Sequence, residues 1–590
     1  MRSLQTYGSI YMANRTRKSL YLGIDLGTTN SKAAVLDYRD TPTGQLRALS
    51  LQQHEDVARQ ATWQHLPSVV RFDNDGKRVF VGEYPRRSLA AFPDRTIRAI
   101  KRFMGKSWRR SVPGWPTVWT PEGISGLILK HMRGQALEQL HDTLNELSTV
   151  AISVPASFGS KQREATRDAA RLAGFDGEVN LIDEPSAALI HYLYDSWQKG
   201  LEFKPKTNVM VFDMGGGTLD VSLARVQAEK DRLQIDIISR SRYTELAGTE
   251  FDLRLAAYIV RRLNAAGILT PKTEQGKATM YRAALYDYAE TLKVRMSNEL
   301  GKYYHWGFVI DGMPFDEAIT RIKLRIPPRV RDVDLDQDGR TVSLPDIEVT
   351  FDQFEQVLAP YFELPTSGGV GSAGTGTLYG PIVTALGEAK LSLNDVDVAL
   401  LHGGMTRLPL IKAALAQYFP PTTQLGSTPD PMTSVAQGAA IYQASRDGRQ
   451  GAILLTEPEL FESVFLEQDK GFKLIVKKDS RAGATDKYDL TFDGTVQDIV
   501  LSFYHGFSET DPLLTHDRTA QLSLPQPLPD GLPLTLRWKV QPDRSVVYEY
   551  QSPSDHTWQP LIAGGAGAPL NAGSASSNDL KRVIQSIETC

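Results

Sequence analysis

The sequence predicts an α/β fold of two lobes followed by a smaller all-β domain, and three observations predict it. Short apolar runs that end in glycine turns, LYLGIDLGTTNSKAAVLD from Leu20 and NVMVFDMGGGTLDVSLARV from Asn208, read as strand, tight turn and strand. Helical segments with legible ends lie between and after them, so strands and helices alternate. Beyond Gln450 the helical signals stop. Runs such as GFKLIVKK, DIVLSFYHGF and LPLTLRWKV then alternate with Pro, Gly and Asp turns to about residue 560.

Taken in order, residues 1–18 are polar and without periodicity, Met12 offers a second start, and a disordered extension is expected. Residues 19–446 form the two-lobed domain, and the two similar hairpins, about 190 residues apart, suggest duplicated lobes with a ligand between them. Within it Ser160 precedes the helix KQREATRDAARLA, which Gly174 closes. Thr350 and Gln353 make a capping-box start for FDQFEQVLAPYF. The Gly/Ser-rich stretch from Thr366 to Thr377 reads as a loop between helices. A linker over 447–456, a β-domain over 457–560 and a flexible tail over 561–590, with at most a short amphipathic helix, complete the chain.

Composition narrows the function classes. Sixty-six Lys and Arg against 69 Asp and Glu leave the chain nearly neutral, which points away from nucleic acid or an anionic membrane as partner. With 41% apolar residues it has the balance of an ordinary globular protein. Cys590 is the single cysteine, so a disulfide framework and a cysteine metal cluster are excluded and a reducing compartment is expected. No apolar run approaches the roughly 18 residues of a membrane helix, and the N-terminus lacks the apolar core of a signal peptide. A cytoplasmic protein is expected.

The chemistry concentrates in the hairpin turns. Gly27 permits a turn in which main-chain N–H groups and the Thr28 and Thr29 hydroxyls face phosphate oxygens, with Asp25 placed for a phosphate-bound Mg²⁺. Alone, this segment reads more readily as a surface hairpin with an Asp at its mouth. Asp213 and the three glycines Gly215, Gly216 and Gly217 repeat the design. Because Mg²⁺ keeps much of its water and takes one or two carboxylates plus phosphates, Asp25 and Asp213 make a sensible pair, acting through water. DLDQDGR from Asp334 starts like a calcium loop, but its twelfth position is Pro345, so it reads as an Asp-Gly hairpin. His402, after two leucines, reads as a packed strand histidine.

Together with VPASFGSKQREATRDAARLAGF at 154–175, LIDEPSAAL at 181–189 and LLHGGMTRLP at 400–409, the two hairpins resemble the five sequence blocks of the heat-shock protein 70 chaperone family, of the bacterial DnaK type. That family belongs to the actin and sugar-kinase ATPase superfamily, so the resemblance implies an actin-like ATPase domain. It extends from about Tyr21 to Ala444 and includes PSVVRF at 67–72 and AIKRFMG at 99–105. It implies that Lys101 approaches the γ-phosphate, Glu184 lies near the attacking water, and Thr218 sits beside the γ-phosphate. Glu290, Lys293 and Ser297 would face ribose and adenine, Arg407 would stack on adenine, Gly403 and Gly404 would admit the nucleotide closely, and Gly248 would contact phosphate. Pro155 and Arg163 would couple nucleotide state to the second domain. The sequence departs from the family at Ala247 and Thr249 beside Gly248, at Met405, and at Met432 and Thr433, which puts ATP-to-ADP discrimination in question.

The resemblance also implies an apolar linker element at Ile453, Leu454 and Leu455, without the usual flanking aspartates, with Leu454 and Leu455 coupling the domains. A β-domain that holds an extended peptide through main-chain hydrogen bonds and an apolar pocket would come next. About 30 residues remain after it, so the family's helical lid is expected to be absent and clients to exchange quickly. The expected function is an ATP-dependent chaperone that hydrolyses ATP with Mg²⁺ and binds unfolded or extended polypeptide, assisted by a J-domain co-chaperone and a nucleotide exchange factor. The alternatives are a nucleotide-gated scaffold for one dedicated partner and a small-molecule kinase of the same superfamily.

Overall fold

Both predicted hairpins form, and each becomes the centre of a mixed sheet. The computed structural model describes residues 18–589 apart from short stretches, of which 307–318, 365–375 and 562–576 are the longest. The expected N-terminal extension and most of the Gly/Ser loop lie outside the described residues, as do parts of the 447–456 linker.

In lobe I, β1 (Leu20–Asp25) pairs antiparallel with β2 (Asn30–Asp37), which pairs with β3 (Gln45–Ala48). A small outer sheet contains β4 (Arg78–Val81). Helix α1 (Pro121–Leu140) starts at Thr120, whose side chain accepts the Gly123 N–H. It is followed by β5 (Val150–Val154), α2 (Ser160–Leu172), β6 (Val179–Asp183) and α3 (Glu184–Gln198). The sheet order is β6-β5-β1-β2-β3, with β5 and β6 parallel to β1. β1 is buried along its whole length, as a central strand covered on both faces must be.

Lobe II repeats the plan. β7 (Lys206–Met214), β8 (Leu219–Glu229) and β9 (Arg232–Arg240) form an antiparallel run; α4 (Gly248–Ala265) and α5 (Glu290–Trp306) cover one face. β10 (Val398–His402) and β11 (Gln424–Ser427) add parallel strands beside β7. The chain then forms α6 (Ser434–Arg446) and β12 (Ile453–Leu455). The capping box at Thr350 and Gln353 is present, with Thr350 N–H donating to Gln353 Oε1 at 3.2 Å and Gln353 N–H to Thr350 Oγ1 at 3.3 Å. Short strands at Asp332–Asp334 and Thr341–Ser343 pair as the Asp-Gly segment requires.

Two helices interleave the lobes. α6 packs on β1, β2 and β5 of lobe I, while α3, from lobe I in sequence, packs on lobe II strands and on α6. The contact is backbone-close: a Cβ at Gly438 would stand 1.8 Å from the Ala187 carbonyl oxygen, and one at Gly23 2.2 Å from that of Ala436. One apolar cluster, including Tyr21, Ala188, Val211, Leu400 and Ala440, therefore spans both lobes.

The linker segment Ile453–Leu455 adds to the lobe II sheet, pairing parallel with Leu233–Ile235 of β9. After it come β13 (Ser463–Gln468), β14 (Gly471–Val476), β15 (Thr485–Leu490), β16 (Val496–Gly506), β17 (Thr515–Leu528), β18 (Leu534–Val540), β19 (Val546–Gln551) and β20 (Gln559–Pro560). They form two four-stranded sheets, β14-β13-β16-β17 and β15-β18-β19-β20. Alternate residues such as Phe503, Leu536 and Trp538 fill the space between them, and Phe503 stacks on Tyr548 at 4.3 Å. This sandwich sits on α2: Ser160 Oγ accepts the Val546 N–H at 3.0 Å, and Arg167 pairs with Asp543.

Where the sandwich meets the start of α2, His505 Nε2 lies 3.4 Å from Asp517 Oδ1, which also accepts the Lys161 N–H at 3.4 Å. Burial alone would lower the histidine pKa, but Asp517 and Glu462 outweigh it and raise the value. A raised folded-state pKa contributes stability that is complete below the unfolded value of about 6.5 and disappears as pH climbs through the folded value. The thermal midpoint of the sandwich is therefore expected to fall between about pH 6 and about pH 9, and that fall to vanish in His505→Gln. Circular dichroism melts at both pH values decide it, and equal slopes for the two proteins would refute the pair's contribution.

The flexible tail expected over 561–590 is corrected at its C-terminal end. Residues 577–589 fold as α7 (Ser577–Ser586) and β21 (Glu588–Thr589) against lobe I. The reason is a helical stripe: Leu580, Ile584 and Ile587 are buried in the lobe I core and Val583 packs against it. Among the described residues no helix is long and apolar enough to cross a membrane.

Candidate functional site

The two hairpin turns face each other across the cleft between the lobes. Asp25 ends β1 and stands beside Ser153 of β5, while Asp213 near the end of β7 stands beside His402 of β10. The turns touch: a Cβ at Gly216 would stand 1.9 Å from Thr29 Oγ1, and one at Gly217 2.6 Å from Thr28 Oγ1. Gly403, at φ 86°, holds a left-handed conformation that leaves no room for a side chain, since a Cβ would fall 2.6 Å from Asp213 Oδ1.

The cleft is lined by Asp25, Gly27, Thr28, Thr29, Lys101, Pro155, Glu184, Asp213, Gly215, Gly216, Gly217, Thr218, Gly403 and Gly404. It thus gathers every residue expected at the phosphate end except Gly248. That glycine lies close by, where a Cβ would be 3.3 Å from Gly216 Cα. Lys101, on a short turn over Ile100–Phe103, is buried and paired with Glu184 at the start of α3.

The electrostatics of the cleft are dominated by acids. Asp25 is buried, which would raise its pKa, but Lys32 and Lys101 prevail and hold it below the usual carboxylate range. Lys32 Nζ is 2.9 Å from Asp25 Oδ2, and Ser153 Oγ donates to Asp25 Oδ1 at 3.1 Å. Asp213 is pushed far up by burial and by Glu184, Asp220 and Asp25. Glu184 is raised by burial and by Asp25 and Asp220, with Lys101 opposing. Four acidic groups share the cleft with only the two ammonium groups of Lys32 and Lys101, and a divalent cation would offset the crowding that raises Asp213, Glu184 and Asp220. The donor set fits hydrated Mg²⁺, with Asp25 and Asp213 on opposite walls.

The residues expected at the nucleoside end gather on lobe II, beside the phosphate cleft. Lys293 Nζ pairs with Asp252 at 2.8 Å and donates to the Gly248 carbonyl at 3.2 Å. Burial raises Asp252 to about 6 in spite of Lys293. Ser297 Oγ donates to the Arg407 carbonyl at 3.1 Å. Glu290 reaches across to lobe I, 3.6 Å from Arg86. Met405 is buried, and its Sδ would be 3.2 Å from a Cβ at Gly248.

Toward the sandwich, Pro155 lines the cleft and Arg163 lies buried behind it. Arg163 donates to Asp183 Oδ1 at 2.6 Å and to the Phe158 carbonyl at 2.9 Å. The other Asp183 oxygen pairs with Arg544 of the sandwich, and Arg240 of β9 lies 3.9 Å from it. Burial, with Arg163 adding to it, drives the Arg544 pKa down to about 9.

Sequence reasoning missed several site residues. Lys32 is the direct cross-strand partner of Asp25 in the hairpin register, a spacing readable from the turn length. Arg102 follows Lys101 but reaches lobe II, pairing with Glu250 at 2.9 Å and donating to the Gly217 carbonyl at 3.1 Å. His402, read as a packed histidine, is buried and neutral, its pKa pushed down to about 3 by burial, and also lines the cleft with its Nδ1 2.9 Å from Ser434 Oγ.

The family described as Hsp70 protein matches residues 21–325 and 376–459. Similar curated proteins include the chaperone protein DnaK of Thermosipho melanesiensis, 31% identical over 437 residues, covering 74% of this chain and 61% of that protein. That of Thermoplasma volcanium is 30% identical over 442 residues, with 74% and 60% covered. That of Thermotoga maritima is 29% identical over 436 residues, with 74% and 61% covered. The chain therefore spans about 61% of the length of such relatives. The matched segments hold both hairpin turns, Lys101, Glu184 and the α5 helix, and the chain belongs to the Hsp70 family.

Proposed function

We propose that the chain is an ATP-hydrolysing chaperone in which nucleotide between the lobes governs the hold of the β-sandwich on extended polypeptide. The observation that carries this reading is the convergence of both glycine turns, Asp25, Asp213, Lys101 and Glu184 on one cleft. Turn N–H groups and the Thr28, Thr29 and Thr218 hydroxyls bind the phosphates. Bound Mg²⁺, held through water by Asp25 and Asp213, would neutralise phosphate charge. Lys101 meets the charge that develops on the γ-phosphoryl group, and Glu184 orients the attacking water. Glu290, Lys293, Ser297, Arg407, Gly403 and Gly404 take the nucleoside.

Coupling would run from Pro155 at the phosphates through Arg163 and Asp183 to Arg544 of the sandwich, and through Leu454 and Leu455 on the β9 edge. A J-domain co-chaperone and an exchange factor are the expected partners, and the cytoplasm the expected compartment. The test is Mg²⁺-dependent ATP hydrolysis with and without an unfolded peptide. Turnover that the peptide stimulates supports the reading, whereas absence of both nucleotide binding and turnover in the folded protein refutes it.

Arg102 links the lobes through Glu250 and the Gly217 carbonyl, so Arg102→Ala is expected to speed ADP release. The pair is partly exposed and is worth about 1 kcal/mol or less, or up to about fivefold in rate. Stopped-flow release of a fluorescent ADP analogue measures it, and an unchanged rate would show that the clasp is idle.

A further inference from the structure

Residues 577–589 occupy a surface of lobe I built from α1, α2 and the edge of β4. Leu580, Ile584 and Ile587 are buried there. Gly126 of α1 makes room: a Cβ at that position would lie 3.2 Å from Leu172 Cβ and 3.5 Å from Ile584 Cδ1. Lys130 Nζ donates to the carbonyl oxygens of Ile584, Gln585 and Ile587 at 2.9, 3.0 and 2.6 Å, satisfying the acceptors that a helix end leaves open. Thr589 then pairs in parallel with Val79, extending the β4 edge.

A helix as short as α7 is marginal by itself in water, so this segment folds as it docks and unfolds as it leaves. The helix α2 lies against it on one side. Elsewhere α2 carries the sandwich through the Ser160 to Val546 bond, the Arg167 to Asp543 pair, and a 3.4 Å bond from the Lys161 N–H to Asp517. The same helix is thus gripped by the sandwich and by the segment that comes after the sandwich in the chain.

We propose that Ser577–Thr589 is a releasable strap, whose docking in the α1–α2 groove holds the β-sandwich against lobe I. Only 15 residues separate Leu561, at the end of the sandwich, from Ser577. A tether of so few residues confers an effective concentration on the order of millimolar. The sandwich, held at its other end by β12 on lobe II, is then secured at both termini. By linkage, whatever displaces the strap favours undocking, and whatever undocks the sandwich weakens the strap.

The experiment is hydrogen exchange on nucleotide-free protein, read at the Val546 and Lys161 amides. Deleting residues 574–590 is expected to speed exchange there at least about tenfold, and a synthetic peptide of residues 574–590 added in trans to leave the docked population low, because it fills the groove without the tether. Protection of the α1 and α2 amides by that peptide shows that the groove survives the deletion. A second variant, Lys130→Met in the full chain, keeps every apolar contact and loses the three carbonyl bonds. It is expected to shift the same amides in the same direction by about threefold. Unchanged exchange at Val546 in either variant overturns the strap, as does full restoration by the untethered peptide, which would make the groove's filling rather than the tether the cause.

Discussion

Lys101→Ala is expected to cut ATP turnover by about 10²- to 10³-fold while nucleotide affinity changes far less, because the ammonium acts on charge that grows during transfer. The structure sharpens the reason. Lys101 is buried and its partner is Glu184, so the variant removes the cation that the proposed mechanism sets against the γ-phosphoryl group and also leaves Glu184 facing Asp25 and Asp220 without its counter-charge. The carboxyl of Glu184, already raised, would rise further and lose its grip on water as a charged acceptor. Single-turnover hydrolysis together with calorimetric ADP binding separates the two effects. Weaker nucleotide binding with an unchanged single-turnover rate at saturation would mean that Lys101 serves binding alone.

Asp183→Ala should be the most damaging change away from the nucleotide. One carboxylate holds Arg163 of lobe I and Arg544 of the sandwich, with Arg240 near, and all are buried or nearly so. Removing the anion from such a cluster leaves cations in low dielectric and costs about 3–5 kcal/mol. The expected result is a lower melting temperature and a sandwich that separates from α2, seen as new protease cleavage between residues 447 and 462. Arg544→Met, which leaves Arg163 still paired with Asp183, should be milder. A wild-type melting curve for Asp183→Ala would remove Asp183 from the coupling route.

How much of the molecule was legible in the sequence depended on the range of the contact. The hairpins were readable because Asp25 and Asp213 each sit where a buried run meets a glycine turn, and the turn length fixes the pairing of the second strand. Lys32 was within reach of the same logic, since the register places it opposite Asp25. Arg102 was not, because its partner Glu250 lies 148 positions away and nothing local marks the pair. The linker strand was recognisable as an apolar triplet, yet its partner on β9 comes from residues 233–235, which only the fold supplies. For the C-terminal segment, the spacing of Leu580, Val583, Ile584 and Ile587 was a helical signal in plain view. It supported the short amphipathic helix but not its docking, because the groove that makes the helix stable belongs to a distant part of the chain.

The interleaving of α3 and α6 bears on how the molecule can be divided. The helix that covers the inner face of the lobe I sheet is encoded after lobe II, and the helix that covers lobe II is encoded with lobe I. A cut in the chain near Gly200 would leave each fragment with a bare apolar sheet face and a helix fitted only to its counterpart. The lobes are therefore reciprocal halves of a single folding unit rather than modules that could be inherited, expressed or exchanged one at a time.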